Sequence, residues 1–203
     1  MADIYLIRHG HVDYTPPNKI TAHNPLTELG QRMARRVAER CVALDPQLVY
    51  ASTMLRAQQT ADAILERLPD VPRIDTPIFQ EVSIRDLADF PGEQPPEDLG
   101  GWNEEQFAYA NRQMWRRIIK GLDEVWETAR ERELERVALV AHAGPINAIL
   151  RSFLGEDVVP LRTAWFHLDY TGVSCIRENA DGRWVLWTND ARHIEDLRDE
   201  YEG

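Results

Sequence analysis

Cysteine is scarce in this sequence, which has Cys41 and Cys175 among its 203 residues. Two cysteines cannot build a disulfide framework, and they cannot fill a four-cysteine zinc site. Cys41 falls within a helical pattern of apolar residues and Cys175 within a strand pattern, so both are expected to be buried packing residues. We therefore expect a reducing, cytoplasmic setting for the protein.

Long hydrophobic segments are also missing. No apolar run approaches the ~18 residues that a membrane span requires. The apolar run at residues 4–7 follows neither a basic segment nor a small-residue cleavage site, so no signal peptide is expected. These features argue against a membrane protein.

Basic residues are outnumbered by acidic ones. The chain has 23 lysines and arginines against 34 aspartates and glutamates, which gives a formal net charge of −11. Such a surface repels the phosphates of nucleic acids and of anionic lipids, so neither is an expected partner. A small anionic substrate remains compatible with the sequence where cationic side chains are gathered locally.

The elements that are present alternate along the chain. Short apolar runs typical of buried strands alternate with amphipathic helical patterns. This order predicts an α/β fold, a three-layer αβα sandwich whose sheet is mainly parallel with one antiparallel strand near the C-terminus. The predicted strands are 4–8, 48–51, 137–141, 165–169, 173–177 and 183–188, and helices are predicted after Thr27, after Ser52 or Thr53, from Trp102 to Ala129 and after His142.

The chain is expected to form a single domain over residues 1–203, with a loop and helical insertion at about 81–132. Between Glu81 and Gly101 the periodicity fails while proline and glycine accumulate, which is typical of a long loop or a lid. The acidic tail from Glu195 is expected to be a solvated end.

Charged and imidazole side chains follow several of the predicted strands. Arg8 and His9 end the first strand, Arg56 lies in the first turn of the helix after the second, and His142 follows a third. Glu81 comes after a short apolar segment. Because ligands of open parallel sheets bind outside the carboxyl ends of the strands, these side chains are expected to meet.

Together these residue types suit phosphate chemistry. Two arginines offer planar, bidentate donors for phosphate oxygens. A neutral imidazole such as His9 can attack phosphorus, and a carboxyl group can protonate the leaving oxygen. Arg8, Arg56 and a charged His142 would all disfavour protonation of His9. The arginines supply the charge neutralisation that a metal gives elsewhere, so neither a metal nor a cofactor is expected.

Ordered blocks of the sequence resemble the histidine phosphatase superfamily, in its phosphoglycerate-mutase-like branch. The first block carries the Arg-His-Gly motif, and the blocks follow one another in the family's order over nearly the whole chain. The blocks are Ile4–Gly10, Leu26–Gly30, Ala51–Ala61 and Val140–Gly144, with Asn189-Asp190 and His193 resembling the closing segment. The resemblance implies a phosphoglycerate-mutase-like fold.

The resemblance also implies a role for each matched residue. His9 would be the phosphorylated nucleophile, and Arg8, Arg56 and His142 would hold the phosphoryl group. Glu81 would donate a proton to the leaving alcohol and then activate water.

The chain departs from the family pattern at several positions. Val12 and Thr15 stand where the family often has threonine and asparagine, so one usual phosphate contact is altered. Ala143 replaces a frequent glycine, and the segment after Glu81 lacks the usual glycine and aromatic residue.

Further residues in the flanking loops are candidates for the substrate pocket. These are His11, Tyr14, Asn24 and Trp102, with Gly144 as a backbone donor; loop packing is the alternative explanation for the first four.

The resemblance implies a histidine acid-type phosphatase, a metal-independent hydrolase of a small phosphorylated metabolite that works through a phosphohistidine. One alternative is a cofactor-dependent phosphoglycerate mutase, which uses the same residues but generally has a longer chain with extra segments that enclose the site. A catalytically inactive binding module is the other. The physiological substrate and the oligomeric state stay open.

Overall fold

The computed structural model describes residues 1–14, 21–93, 101–155 and 165–201. Its centre is one six-stranded sheet with the order β3-β2-β4-β1-β5-β6. The strands are β1 (Ala2–Arg8), β2 (Leu48–Ser52), β3 (Arg73–Thr76), β4 (Arg136–Ala141), β5 (Val173–Asn179) and β6 (Gly182–Asp190).

The sheet is mainly parallel, as the sequence predicts. β1 pairs with β4, β4 with β2, and β2 with β3, all in parallel. β5 runs antiparallel to both of its neighbours, β1 and β6. The hairpin of β5 and β6 therefore extends a parallel core by one reversed strand and a final edge strand.

Helices cover both faces of the sheet, which confirms the three-layer prediction. The apolar sides of α1 and α2 pack against one face, and those of α3 and α4 against the other. The helices are α1 (Glu28–Leu44), α2 (Leu55–Arg67), α3 (Glu104–Glu131) and α4 (Ala143–Ser152). None of these described helices combines the length and apolar composition needed to cross a bilayer.

Local sequence accounts for where α1 and α3 begin. The Thr27 hydroxyl accepts the backbone N–H of Gly30 at 3.0 Å, which confirms it as the N-cap of α1. Asn103 and Gln106 form a reciprocal capping box at the start of α3. The predicted cap of α2 is wrong, because α2 begins after Met54 and has no side-chain cap.

The strand predicted at residues 165–169 is also wrong. The backbone N–H of Phe166 donates to the Asn147 side chain at 2.7 Å, and the carbonyl oxygen of Phe166 accepts from the same amide. The backbone N–H of Asp169 donates to the side-chain oxygen of Asn189 at 2.7 Å. Side chains thus form the hydrogen bonds with this backbone that a neighbouring strand would otherwise form.

The described part of the segment after Glu81 contains a regular element that its sequence pattern does not predict. A short 3-10 helix, Ile84–Leu87, follows Glu81, and Leu87 is buried against the N-terminal half of α3. Residues 94–100, which carry much of the predicted loop, lie outside the described residues. The tail also differs from its prediction, because Arg192–Glu200 form a 3-10 helix with Leu197 buried.

The two cysteines are free and buried. Burial raises the pKa of both thiols to about 12, which agrees with a packing role.

Candidate active site

The carboxyl ends of four parallel strands lie along one edge of the sheet. In the register, Arg8 at the end of β1 is opposite Ala141, and Ser52 at the end of β2 is opposite Thr76. The segments that follow β1, β2, β3 and β4 therefore emerge side by side. They carry the charged and imidazole residues singled out in the sequence.

Gly10 lets α1 come close to the end of β1. A Cβ atom on Gly10 would lie 2.6 Å from the carbonyl oxygen of Gly30, which only a glycine avoids. The Gly10 N–H donates to the Thr60 hydroxyl at 3.1 Å, and the His9 N–H donates to the Ala141 carbonyl at 3.0 Å. These bonds fix the backbone as β1 ends, so that His9 faces the carboxyl edge.

His9 is 3% exposed, and its two ring nitrogens have different partners. Nδ1 lies 2.7 Å from the carbonyl oxygen of Gly10, an acceptor, so Nδ1 carries the proton. Nε2 accepts from Nε of Arg56 at 3.2 Å. Burial, followed by the charges of Arg56 and Arg8, holds the pKa of His9 well below its usual value. His9 is thus a neutral imidazole with its Nε2 lone pair inside the site.

Arg56 is a buried cation, 1% exposed, at the first turn of α2. Besides His9, its guanidinium donates to the carbonyl oxygen of Thr21 at 2.9 Å and to the sulfur of Met54 at 3.1 Å. Within the described residues no carboxylate forms an ion pair with it. A buried guanidinium without an ion-pair partner favours an anionic ligand.

Arg8 stands beside the same site. Its Nη1 donates to the carbonyl oxygen of Leu168 at 2.5 Å, and its Cζ lies 3.9 Å from the ring centre of Tyr170. The buried Nε has no hydrogen-bond partner among the described residues. The guanidinium is therefore held in one orientation while one of its donors remains available.

His142 is the residue at the N-cap position of α4, and its side chain makes no cap bond. It is 1% exposed, and its ring centre lies 5.0 Å from that of His9. Its Nε2 contacts the Ser52 hydroxyl at 2.8 Å, and its buried Nδ1 has no partner within the described part of the chain. The expectation of a charged His142 is wrong. Burial, followed by the charges of Arg56, His9 and Arg8, lowers its pKa well below the usual value, so the imidazole of His142 is neutral.

Glu81 lies at the N-terminus of α4. One carboxylate oxygen accepts the N–H of Gly144 at 3.0 Å, and the other accepts the N–H of Val82 at 3.1 Å. A Cβ atom on Gly144 would lie 2.1 Å from Oε1 of Glu81. The close approach of Glu81 to α4 therefore depends on the glycine.

The structure places three of the five candidate pocket residues near this cluster. The ring of His11 lies edge-on to Tyr170 at 5.1 Å, and Tyr14 lies 5.9 Å below the Arg56 guanidinium. Asn24 accepts hydrogen bonds from Thr21, whose carbonyl binds Arg56.

The remaining two candidates have different settings. The Gly144 N–H is directed at Glu81, as described above. Trp102 is 7% exposed and packs with Leu87 and Ala110 in a separate apolar cluster. Trp102 is therefore a packing residue in this structure, and its contact with substrate stays a prediction.

Several residues of the site carry no clear sequence signal. Ser52 and Thr60 orient His142 and Gly10, and Tyr170 lies under Arg8. Ser52 lies at the end of β2, Thr60 on α2 and Tyr170 in the turn before β5, so only the fold shows that they belong to one site. In the described part of the chain, no three His, Cys, Asp or Glu side chains group as a metal site would need.

Comparison with known proteins places this geometry in a family. The model of the histidine phosphatase superfamily (branch 1) matches residues 4–191. A probable phosphatase of Schizosaccharomyces pombe is 25% identical over 155 residues, covering 75% of this chain and 74% of that protein. A 2,3-bisphosphoglycerate-dependent phosphoglycerate mutase of Gloeobacter violaceus is 26% identical over 203 residues, covering 90% and 88%.

A solved structure supports the fold. YhfR of Bacillus stearothermophilus superposes with a TM-score of 0.76 at 20% identity, covering 96% of this chain and 100% of that one. The family model matches almost all of the chain, and the fold is the phosphoglycerate-mutase-like α/β fold. The chain belongs to the histidine phosphatase superfamily, branch 1.

Proposed function

We propose that this protein is a metal-independent phosphomonoester hydrolase that acts on a small phosphorylated metabolite through a phosphohistidine at His9. The observation that carries the proposal is the state of His9. It is a buried neutral imidazole, protonated at Nδ1, with the Nε2 lone pair directed at the Arg56 guanidinium. That is the state that a nucleophile needs at neutral pH.

In the first step the phosphoryl group binds among Arg8, Arg56 and His142. The Arg56 Nε–H transfers its hydrogen bond from His9 to a phosphoryl oxygen, which frees the Nε2 lone pair. Nε of Arg8 and Nδ1 of His142, which have no partner among the described residues, then donate to the same phosphoryl group. These preorganised donors offset the charge that grows on the phosphoryl oxygens.

In the second step Nε2 of His9 attacks phosphorus in line with the ester oxygen. The N–P bond forms as the P–O bond breaks, and the protonated carboxyl group of Glu81 gives its proton to the leaving alkoxide. The Nδ1–H bond to the carbonyl of Gly10 stabilises the positive charge that develops on the ring.

In the third step water hydrolyses the phosphohistidine. Glu81, now a carboxylate, takes a proton from water while the water oxygen attacks phosphorus. The N–P bond breaks, inorganic phosphate leaves, and His9 returns to its neutral form. We further propose that the chain forms a single domain with a loop and helical insertion at about 81–132. A cytoplasmic location suits the two free thiols.

A comparison of the native protein with His9→Ala tests the proposal. An aryl phosphate and a chelator are used, and His23→Ala, at an exposed histidine, is the matched control. Turnover should survive the chelator and the control substitution but fall to background in His9→Ala. Activity retained in His9→Ala, or lost with the chelator, would contradict the mechanism.

The second candidate is a phosphoglycerate mutase, favoured by the similarity to the Gloeobacter violaceus mutase over nearly the whole chain. A mutase returns the phosphoryl group to bound product instead of releasing it to water. Incubation with 3-phosphoglycerate and its bisphosphate separates the two, since 2-phosphoglycerate without net phosphate release would replace hydrolysis by mutase activity. An inactive binding module would give neither product.

A further inference from the structure

The segment that carries Glu81 has no regular secondary structure of its own. It joins two short 3-10 helices, Pro77–Phe79 and Ile84–Leu87, and Glu81 lies between them. A residue that must protonate a leaving oxygen needs a fixed position. Two side chains hold the segment, one of them half-buried and the other buried.

The first of these side chains is Arg117, on α3. Its guanidinium donates to the carbonyl oxygens of Pro77, Ile78 and Gln80, the last of these at 3.1 Å. Gln80 directly precedes Glu81, and Pro77 and Ile78 lie in the 3-10 helix before it. Arg117 thus fixes the backbone on the N-terminal side of Glu81.

The second side chain is Asp86. Both of its carboxylate oxygens accept from Nη2 of Arg117 at 3.0 Å, and one accepts the backbone N–H of Ser83, also at 3.0 Å. The side chains are 14% exposed for Arg117 and 4% for Asp86. Asp86 therefore fixes the backbone on the C-terminal side of Glu81, and Arg117 joins the two anchors.

We propose that the Arg117–Asp86 pair positions Glu81 for proton transfer to the leaving group, an inference that rests on the proposed function of Glu81. The pair acts at a distance and touches neither His9 nor the phosphate donors in the geometry described. It is a positioning pair, and it ties the acid of the reaction to the long helix α3.

The tight fit of Glu81 on α4 explains why the pair matters. The carboxylate contacts the backbone at Gly144 so closely that even a Cβ atom would displace it. Misplacement of a reacting group by ~1 Å commonly costs about 100-fold in rate. Loss of the Arg117 bonds removes the restraint on the Glu81 backbone and leaves the hydrogen bonds of the His9 ring in place.

The test uses two substrates that differ in their need for an acid. An alkyl phosphate needs protonation of its leaving oxygen, whereas p-nitrophenyl phosphate needs little. Arg117→Met should lower kcat for the alkyl ester by about 100-fold and change kcat for the aryl ester by less than about threefold. Arg117→Lys, which keeps the charge but loses the planar fork, should recover part of the alkyl activity.

Arg85→Met is the matched control. Arg85 is exposed, and it also donates to the carbonyl oxygen of Pro77 and to the Gln80 side chain. It does not bond to Asp86 in the described structure, so both substrates should be turned over at the native rate. Retained aryl activity in each variant reports an intact fold and an intact His9.

Glu81→Gln separates failure of this inference from failure of the proposed function. If Glu81→Gln slows both esters equally, the acid assignment is wrong and the inference fails with it. If Glu81→Gln slows the alkyl ester selectively but Arg117→Met does not, only the positioning role is overturned. Should Arg117→Met fail to fold, Asp86→Asn replaces it, with the same selective loss expected and equal loss on both esters overturning the role.

Discussion

At the scale of single residues, two buried imidazoles lie 5.0 Å apart between ring centres, and one hydrogen bond of each selects its tautomer. Nδ1 of His9 is fixed by the carbonyl of Gly10, and Nε2 of His142 by the hydroxyl of Ser52. That hydroxyl already accepts the N–H of Met54 at 3.3 Å. We infer that the hydroxyl donates its own hydrogen to Nε2 of His142, because Nδ1 then carries the ring proton and can donate to a phosphoryl oxygen.

Ser52→Ala tests this arrangement. The substitution leaves a buried ring nitrogen without its partner, which costs about 1–3 kcal/mol, and it no longer selects the donating tautomer of His142. We expect kcat/KM for an aryl phosphate to fall by about tenfold or more. Ser152→Ala, at a serine bonded only to Ile149 in its own helix among described contacts, is the control. Equal activity of the two variants would contradict the role of Ser52.

Gly144→Ala tests the contact between Glu81 and α4. The new Cβ would displace the Glu81 carboxylate, while alanine in a helix is itself favoured over glycine by about 1 kcal/mol. We therefore expect selective loss of turnover on alkyl phosphates in a protein that still folds. In Gly155→Ala nothing lies within 4 Å of the new Cβ, but the positive φ of Gly155 strains an alanine there. We therefore expect some loss of stability with both esters turned over equally, and a selective loss on alkyl phosphates in this control would remove the explanation.

At the scale of elements, the C-terminal 3-10 helix Arg192–Glu200 is held on α1 by a buried apolar contact and by surface ion pairs. Leu197 is 2% exposed and packs in one cluster with Ile194 and Met33. The ion pair of Arg36 with Asp196 joins the same elements but is about half exposed. The apolar contact should dominate, because exposed ion pairs contribute little.

This ranking gives a stability prediction. Leu197→Ala should lower the free energy of unfolding by about 2–5 kcal/mol, the usual range for a buried leucine. Arg36→Ala should lower it by less than about 1 kcal/mol. Urea unfolding followed by circular dichroism measures both, and a larger effect for Arg36→Ala would reverse the assignment.

At the scale of the whole molecule, buried histidines make stability depend on pH. Burial is the first cause that lowers the pKa of His9 and His142 well below the usual value and that of His193 to about 4. Between these values and about 6.5 the unfolded chain binds more protons than the folded protein. Stability therefore rises with pH in this window and is lost as the pH falls.

The urea midpoint measures this dependence. It should be lower at pH 5 than at pH 7, because the free energy of unfolding falls by up to about 1.4 kcal/mol per pH unit for each histidine within its window. His193→Gln, which removes one of the groups without touching His9, should flatten the slope. A midpoint that is equal or higher at pH 5 would show that these histidines are not buried in their neutral form.

The order of elements and the phosphate-site residues could be predicted from the sequence for one physical reason. Arg8, His9 and His142 follow apolar runs directly, and the carboxyl ends of parallel strands share an edge. Tyr170 and the Arg117–Asp86 pair could not be predicted, because their roles depend on contacts between segments far apart in the chain. The wrong strand prediction at 165–169 has the same cause, because Asn147 and Asn189, which bind the backbone of this segment, lie far from it in the chain.

The central claim is that His9 carries the phosphoryl group. Rapid quenching of the protein with a ³²P-labelled aryl phosphate, followed by digestion and peptide mapping under basic conditions, tests it directly. We expect an acid-labile, base-stable label on the peptide that contains His9, and neither label nor turnover in His9→Ala. Label on a different residue, or turnover at the native rate in His9→Ala, would contradict the account.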